Sequence, residues 1–165
     1  SSVNEHLSVE QAIVEPLDIL KEGTKEQRRL KAVQALNDVQ LPGSDEFLDR
    51  KCFTLSGGQR QRVALARSMV MEPKLLIADE ISSMLDPSTQ ANILRLLKGL
   101  QNEKGFAMLY ITHDLALTKK IADRVYVMYR GKIIEKGLAV DIFSNPVESY
   151  TKKLICEGLE SSTII

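Results

Sequence analysis

Residues 55–67 read LSGGQRQRVALAR, and the chain's organisation is read outward from them. Ser56 and Gln59 have the spacing of a capping box at a helix start. Gly57 and Gly58, lacking side chains, leave the first backbone amides unobstructed. A helix N-terminus with bare amides and a hydroxyl suits an anion, phosphate in particular. Ser-Gly-Gly also serves as an ordinary helix cap, so the surrounding residues have to decide.

Downstream, the helix is expected from Gly57 to about Met71, ending before Pro73. Lys74–Ala78 is a short apolar run read as a buried strand, and it delivers two adjacent carboxylates, Asp79 and Glu80. Acids at the carboxyl end of a sheet strand stand where α/β proteins bind ligands. One can hold Mg²⁺, and its neighbour can position a water or accept its proton; the plain alternative is a solvated loop pair. Asp86-Pro87 opens a helix carrying Ile93, Leu94, Leu97 and Leu100, which Gly105 stops. Phe106–Thr112 is a second buried run and presents His113-Asp114 at its tip, although a lone histidine is more often structural. A short helix over 114–122, a strand over Val125–Tyr129, a tight turn at Arg130-Gly131 and a strand over Lys132–Glu135 follow. Residues 138–157 read as helical, punctuated by Asn145-Pro146. Strands alternating with helices predict a mostly parallel α/β sheet.

Upstream, the texture is helical. Ser8 with Gln11 heads Val9, Ala12, Ile13, Leu17 and Leu20, with Pro16 predicting a kink or short break. Thr24 with Gln27 heads Leu30, Val33, Ala35, Leu36 and Val39, closed by Pro42-Gly43. Residues 44–54 read as loop with a helical turn.

The 165 residues carry 22 basic and 22 acidic side chains, a formal net charge of zero, which argues against a broad nucleic-acid-binding face. The balance is uneven: residues 1–50 carry a net −4 and residues 51–165 a net +4. Two cysteines, Cys52 and Cys156, form neither a CxxC nor a metal spacing, so a disulfide scaffold is not expected and a reducing cytosolic setting is the default. No apolar run approaches the length of a membrane span, and the first residues lack the basic and apolar regions of a signal peptide.

In this order the pieces resemble the ABC ATPases. Residues 55–67 resemble that family's signature motif and helix, Leu75–Glu80 its Walker B strand, Ser83-Met84-Leu85-Asp86 its D-loop, and His113 its switch histidine. The resemblance implies a partial P-loop NTPase core preceded by a helical subdomain. It divides the chain into the helical subdomain at 1–54, the signature helix with the second half of the ATPase core at 55–137, and a helical tail at 138–165. It implies ATP sandwiched between two subunits. Ser56, Gly57, Gly58 and Gln59 would contact the γ-phosphate of ATP held by the opposite one. Asp79 would serve the Mg²⁺ shell, Glu80 would be the general base, His113 would sense the γ-phosphate, and Ser83 and Asp86 would belong to the D-loop.

Two departures qualify the match. Ile81 stands where transporter relatives usually have proline. No glycines have the G-x-x-x-x-G spacing and Gly131-Lys132 is followed by Ile133, so there is neither a P-loop nor a glutamine loop. ATP binding in cis is expected to be very weak, and the chain alone is expected to be inactive.

Ser1-Ser-Val-Asn, Glu15-Pro16-Leu17, and Asp141-Ile-Phe-Ser-Asn-Pro146 with Ser149-Tyr150-Thr151 resemble segments of the oligopeptide, dipeptide and nickel importer group. Lys51-Cys52-Phe53-Thr54 departs from the sequence many of that group carry before the signature. The resemblance implies the C-terminal portion of an importer's ATP-binding subunit, peripheral on the cytoplasmic face of the membrane. Its partners would be a second ATPase subunit, identical or homologous, and transmembrane permease subunits. The alternatives are a soluble ABC ATPase of DNA repair or translation, or a non-catalytic module supplying its signature in trans. The chain shows neither the heptads nor the repeat expected of the first. With half of an α/β core lacking, exposed apolar faces and self-association are expected.

Overall fold

The computed structural model describes residues 3–79 and 87–160, which fall into two compact units, 1–110 and 111–165. The first unit starts with α1 (Val9–Leu20), α2 (Lys25–Asp38), the short α3 (Asp45–Asp49), a 3₁₀ turn (Cys52–Thr54) and α4 (Gly57–Met69). Helix α4 packs against α1 and α2. Val9, Ala12, Ile13 and Leu17 of α1, Ala32, Ala35 and Leu36 of α2, and Val63, Ala66 and Met69 of α4 are buried. Most of the expected stripe is buried, but Leu20 and Leu30, placed in it by spacing, are exposed (62% and 70%), because they sit at helix ends or on the face turned away from the other helices. Of the kink or short break expected at Pro16, the break does not occur: α1 runs on through it. Proline costs a helix interior about 3 kcal/mol, and the burial of Val14 and Leu17 on either side of it outweighs that loss.

The chain ahead of α1 is tied to the chain ahead of α4. Ser8 and Lys51 form an antiparallel bridge, flanked by Val9 N donating to Arg50 O (2.9 Å) and Cys52 N donating to Leu7 O (3.0 Å). Cys52 is fully buried under this seam, and burial pushes its thiol up, so it is an inert packing residue.

The α/β part of this unit is β1 (Leu75–Asp79), α5 (Pro87–Lys104) and β2 (Ala107–Ile111), with β1 and β2 paired in a two-stranded sheet. Ala107 N at the start of β2 donates to Lys74 O just ahead of β1 (2.9 Å), so both strands begin at the same edge and run parallel. A helical crossover is what a parallel pair requires. Ile93, Leu94, Leu97 and Leu100 of α5 are buried as their spacing predicts. The strands depart from expectation in burial. Leu76 and Ala78 are buried, but Leu75 and Ile77 are 54% and 60% exposed, and Leu109 and Ile111 are also open. One face of each strand therefore lacks a covering layer among the described residues.

The second unit holds α6 (Leu115–Ile121), β3 (Arg124–Tyr129), β4 (Lys132–Leu138), α7 (Ala139–Ser144) and α8 (Ser149–Glu160). Strands β3 and β4 form an antiparallel hairpin with a bulge after Val127. Arg130 and Gly131 both have positive φ, 48° and 77°, as a two-residue hairpin turn requires. The expected helical tail is two helices, broken where Asn145-Pro146 predicted punctuation. Helix α8 lies close on α6: a Cβ on Gly158 would come within 2.6 Å of Leu115 Cδ1. Its start is capped from β4, where Glu135 accepts from the amides of Val147 (2.8 Å) and Glu148 (3.1 Å). The nearby buried Thr151 hydroxyl, which makes no hydrogen bond of standard geometry, and the Val147 amide, which does, hold the Glu135 carboxyl below its usual range.

A carboxylate with a lowered folded-state pKa contributes stability above its unfolded pKa and loses it as pH falls through the folded value. Amide exchange at 147–151 is therefore expected to accelerate below about pH 4, and Glu135→Gln is expected to show fast exchange there at neutral pH, with no further acid step. The open faces of β1 and β2 predict concentration-dependent self-association and dye binding by the isolated chain. Size-exclusion chromatography showing a dilute monomer with no apolar dye binding would contradict this.

Candidate functional site

Three helices of the first unit begin with the same device. Ser8 and Gln11 on α1, Thr24 and Gln27 on α2, and Ser56 and Gln59 on α4 all form reciprocal capping boxes. In α4, Ser56 Oγ accepts from Gln59 N (3.3 Å), and Gln59 Oε1 accepts from Ser56 N (3.0 Å). The second helical residue separates the three. It is Glu10 in α1 and Glu26 in α2, and Gly58 in α4, whose first turn holds no acid.

The difference is electrostatic. A helix start carries roughly half a positive charge, and a carboxylate there answers it. Glu26 shows the effect: its own backbone N–H, and next the Thr24 hydroxyl, hold its carboxyl below the usual range. In α4 no side chain of the first turn supplies that negative charge. The Gly57 and Gly58 amides occupy the first two helical positions, where a helix offers no internal acceptor. Ser56 accepts through its oxygen and keeps its hydroxyl proton to donate, and Gln59, its oxygen engaged, keeps its NH₂. The tip therefore offers two amides, a hydroxyl and a carboxamide, a donor set that fits a phosphate group.

Ser56 and Gly57 are exposed, and Gly58 and Gln59 are half-buried. A Cβ built on Gly58 would meet Thr89 Cγ2 at 3.5 Å, so the first turn of α5 borders the tip. Nothing in the sequence marks Thr89, since only the approach of the start of α5 to Gly58 brings it there. Further along α4, Arg67 pairs with Glu15 of α1 (2.6 Å). A cleft of about 540 Å³ runs between the end of α2, Arg62 and α5, lined by Asp38, Asn92, Arg95 and Glu103. Neither it nor the smaller cleft at Met69, Pro73 and Phe106 includes Ser56–Gln59.

The other candidates distribute as follows. Asp79 ends β1 and is exposed, at the strand's carboxyl edge as expected. His113 lies in the second unit, exposed in the bend between β2 and α6. There Thr112 Oγ1 accepts from Asp114 N (3.0 Å) and Asp114 Oδ1 caps α6 by accepting from Leu117 N (2.9 Å). Glu80, Ser83 and Asp86 lie outside the described residues. Among the described residues no three His, Cys, Asp or Glu side chains gather into a metal site. Asp79 fits a Mg²⁺ ion only as one carboxylate of a shell completed by phosphate and water.

A family model described as "ABC transporter" matches residues 1–83. The chain is 44% identical over 154 residues to the dipeptide transport ATP-binding protein DppF of Escherichia coli K12, covering 93% of this chain and 46% of that protein. It is 42% identical over 156 residues to the oligopeptide transport ATP-binding protein OppF of Bacillus subtilis 168, covering 94% and 50%. The chain thus spans about half the length of these curated relatives. Among solved structures, cbiO1 of Clostridium perfringens, part of an ABC transporter complex, superposes with a TM-score of 0.75 at 31% identity, over 87% of this chain and 55% of that one. A dimeric bacterial ABC transporter cassette superposes with a TM-score of 0.69 at 29% identity, over 83% and 59%.

Gly58→Glu would place on α4 the carboxylate that α1 and α2 already carry. The substitution is expected to leave thermal stability unchanged or raise it by up to about 1 kcal/mol, because only the Thr89 methyl borders that position. It is expected to remove the chemical-shift response of residues 56–60 to inorganic tripolyphosphate. Equal responses from the wild type and Gly58→Glu would contradict the anion reading of the tip.

Proposed function

The chain belongs to the ABC transporter family, and from that membership we propose that it forms the signature-bearing part of the ATP-binding subunit of a peptide (or nickel) importer. The observation that carries this reading is the acid-free capped tip of α4: the chain uses the same capping box three times and omits the internal carboxylate only at the signature. The names of the relatives, ATP-binding proteins of dipeptide and oligopeptide transport, support the substrate class.

In this reading ATP is held by a second subunit, identical or homologous, and its γ-phosphate meets the α4 tip. The Ser56 hydroxyl, the Gly57 and Gly58 amides and the Gln59 carboxamide donate to it. Such donors act most strongly where the charge of phosphoryl transfer develops and water is excluded. Magnesium, when bound, neutralises phosphate charge. At the subunit's own nucleotide, Asp79 would serve the Mg²⁺ shell, Glu80 would act as general base and His113 would sense the γ-phosphate, and Ser83 and Asp86 would belong to the D-loop. Hydrolysis would drive transport through permease subunits, with this subunit peripheral on the inner face of the membrane. No helix of the described residues is long and apolar enough to cross a membrane.

In the complete subunit assembled with its permease, Glu80→Gln is expected to lower kcat for ATP by about 10²-fold or more while ATP binding persists. The 165-residue chain alone, with Mg-ATP, is expected to show no turnover. Hydrolysis by the chain at a rate typical of the family, lost on Glu80→Gln, would overturn the reading that the nucleotide is held elsewhere.

A further inference from the structure

We infer that Glu5 is a positioning residue for the signature tip, holding the approach to α4 and the first turn of α4 in one fixed relation. Two bonds carry the inference. The backbone carbonyl of Glu5 accepts from Phe53 N (3.1 Å), and its carboxylate accepts from Arg60 Nη1 (2.6 Å). Phe53 and Arg60 bracket Ser56–Gln59, so a single residue far upstream in the sequence holds both flanks of the donor set.

Glu5 is itself held in place. Asn4 Oδ1 accepts from His6 N (3.0 Å) and Leu7 N donates to Asn4 O (3.2 Å), which closes a tight turn around Glu5. That turn is anchored on one side by buried Val3 and on the other by the seam from Leu7 and Val9 to Cys52 and Arg50. The carboxylate thus projects from a fixed backbone, and pairing costs it less conformational freedom than it would on a loose chain. Arg60 projects from the first turn of α4, next to the open amides. Paired with Glu5, it stays directed to the flank, and α4 cannot rotate about its axis without breaking the pair.

A phosphate contact depends on donor placement to a fraction of an ångström, so loosening this clamp is expected to act on nucleotide capture before it acts on the chemistry. The inference rests on the reading that the tip takes phosphate, and its test separates the two. In the complete subunit with its permease, Glu5→Gln is expected to raise KM for ATP about two- to fivefold with kcat unchanged, the range an ion pair of this exposure supplies. In the isolated chain, exchange of the hydrogen-bonded Ser56, Gln59 and Arg60 amides is expected to rise by the same factor while the buried amides of α1 hold. In an Arg60→Gln background, Glu5→Gln is expected to add nothing to either readout, since the pair it would break is already gone. Gly57→Asp is the control. If hydrolysis survives a carboxylate at the tip, the phosphate reading falls and the role of Glu5 falls with it. If Gly57→Asp abolishes hydrolysis while Glu5→Gln changes neither KM nor exchange, or has its full effect in the Arg60→Gln background, the positioning role alone is overturned.

Discussion

A helix begins with amides that its own carbonyls cannot reach, and how each of those beginnings is answered organises the first unit of this chain. Capping boxes answer it for α1, α2 and α4 with the same two hydrogen bonds. In α1 and α2 a glutamate in the first turn completes the answer and the end of the helix becomes inert surface. In α4 two glycines stand in the first turn, and the partial positive charge is left for something outside the helix. The same cap therefore yields a helix start answered from within in two places and an open, anion-compatible tip in the third, the one proposed to meet the γ-phosphate.

Such a tip is useful only if it is held still. Helix α4 is one wall of a three-helix core in which Val63, Ala66 and Met69 are buried against α1 and α2. The seam from Glu5–Val9 to Arg50–Phe53 ties the start of the helical segment to the residues that enter α4. Arg67 to Glu15 adds a second link between α4 and α1. Each exposed ion pair contributes little alone. Their value is in orientation, because a buried apolar stripe permits small rotations that a directed pair does not. The helical segment and the signature are thus joined by packing, backbone hydrogen bonds and ion pairs.

Much of this was legible before any coordinates. Ser8–Gln11, Thr24–Gln27 and Ser56–Gln59 are local patterns whose hydrogen bonds lie within four residues, so reading them requires no tertiary information. The turn at Arg130-Gly131 and the buried stripe of α5 are legible for the same reason. Pro16 does not end α1, because the cost of one missing amide is local while the packing that offsets it is not. The strands were misjudged in a different way. Leu75, Ile77, Leu109 and Ile111 read as core residues, and an apolar residue carries no mark of whether its covering layer is present. Thr89 and Glu5 could not have been found from the sequence, since each acts on the tip through a contact dozens of residues away along the chain.

By itself, the sequence determined which helices form, where they start, and that of the three capping-box starts one lacks the acid the other two have. It also determined the family, because the signature, the Asp79-Glu80 strand end and His113 occur in a fixed order. Only the tertiary structure decided that Glu5 grips both flanks of the tip, that Gly58 borders α5, and that β1 and β2 keep one face open. The division has a physical reason. Capping and turn formation are governed by bonds a few residues long. Orientation and burial are governed by contacts whose partners are chosen only when distant segments meet.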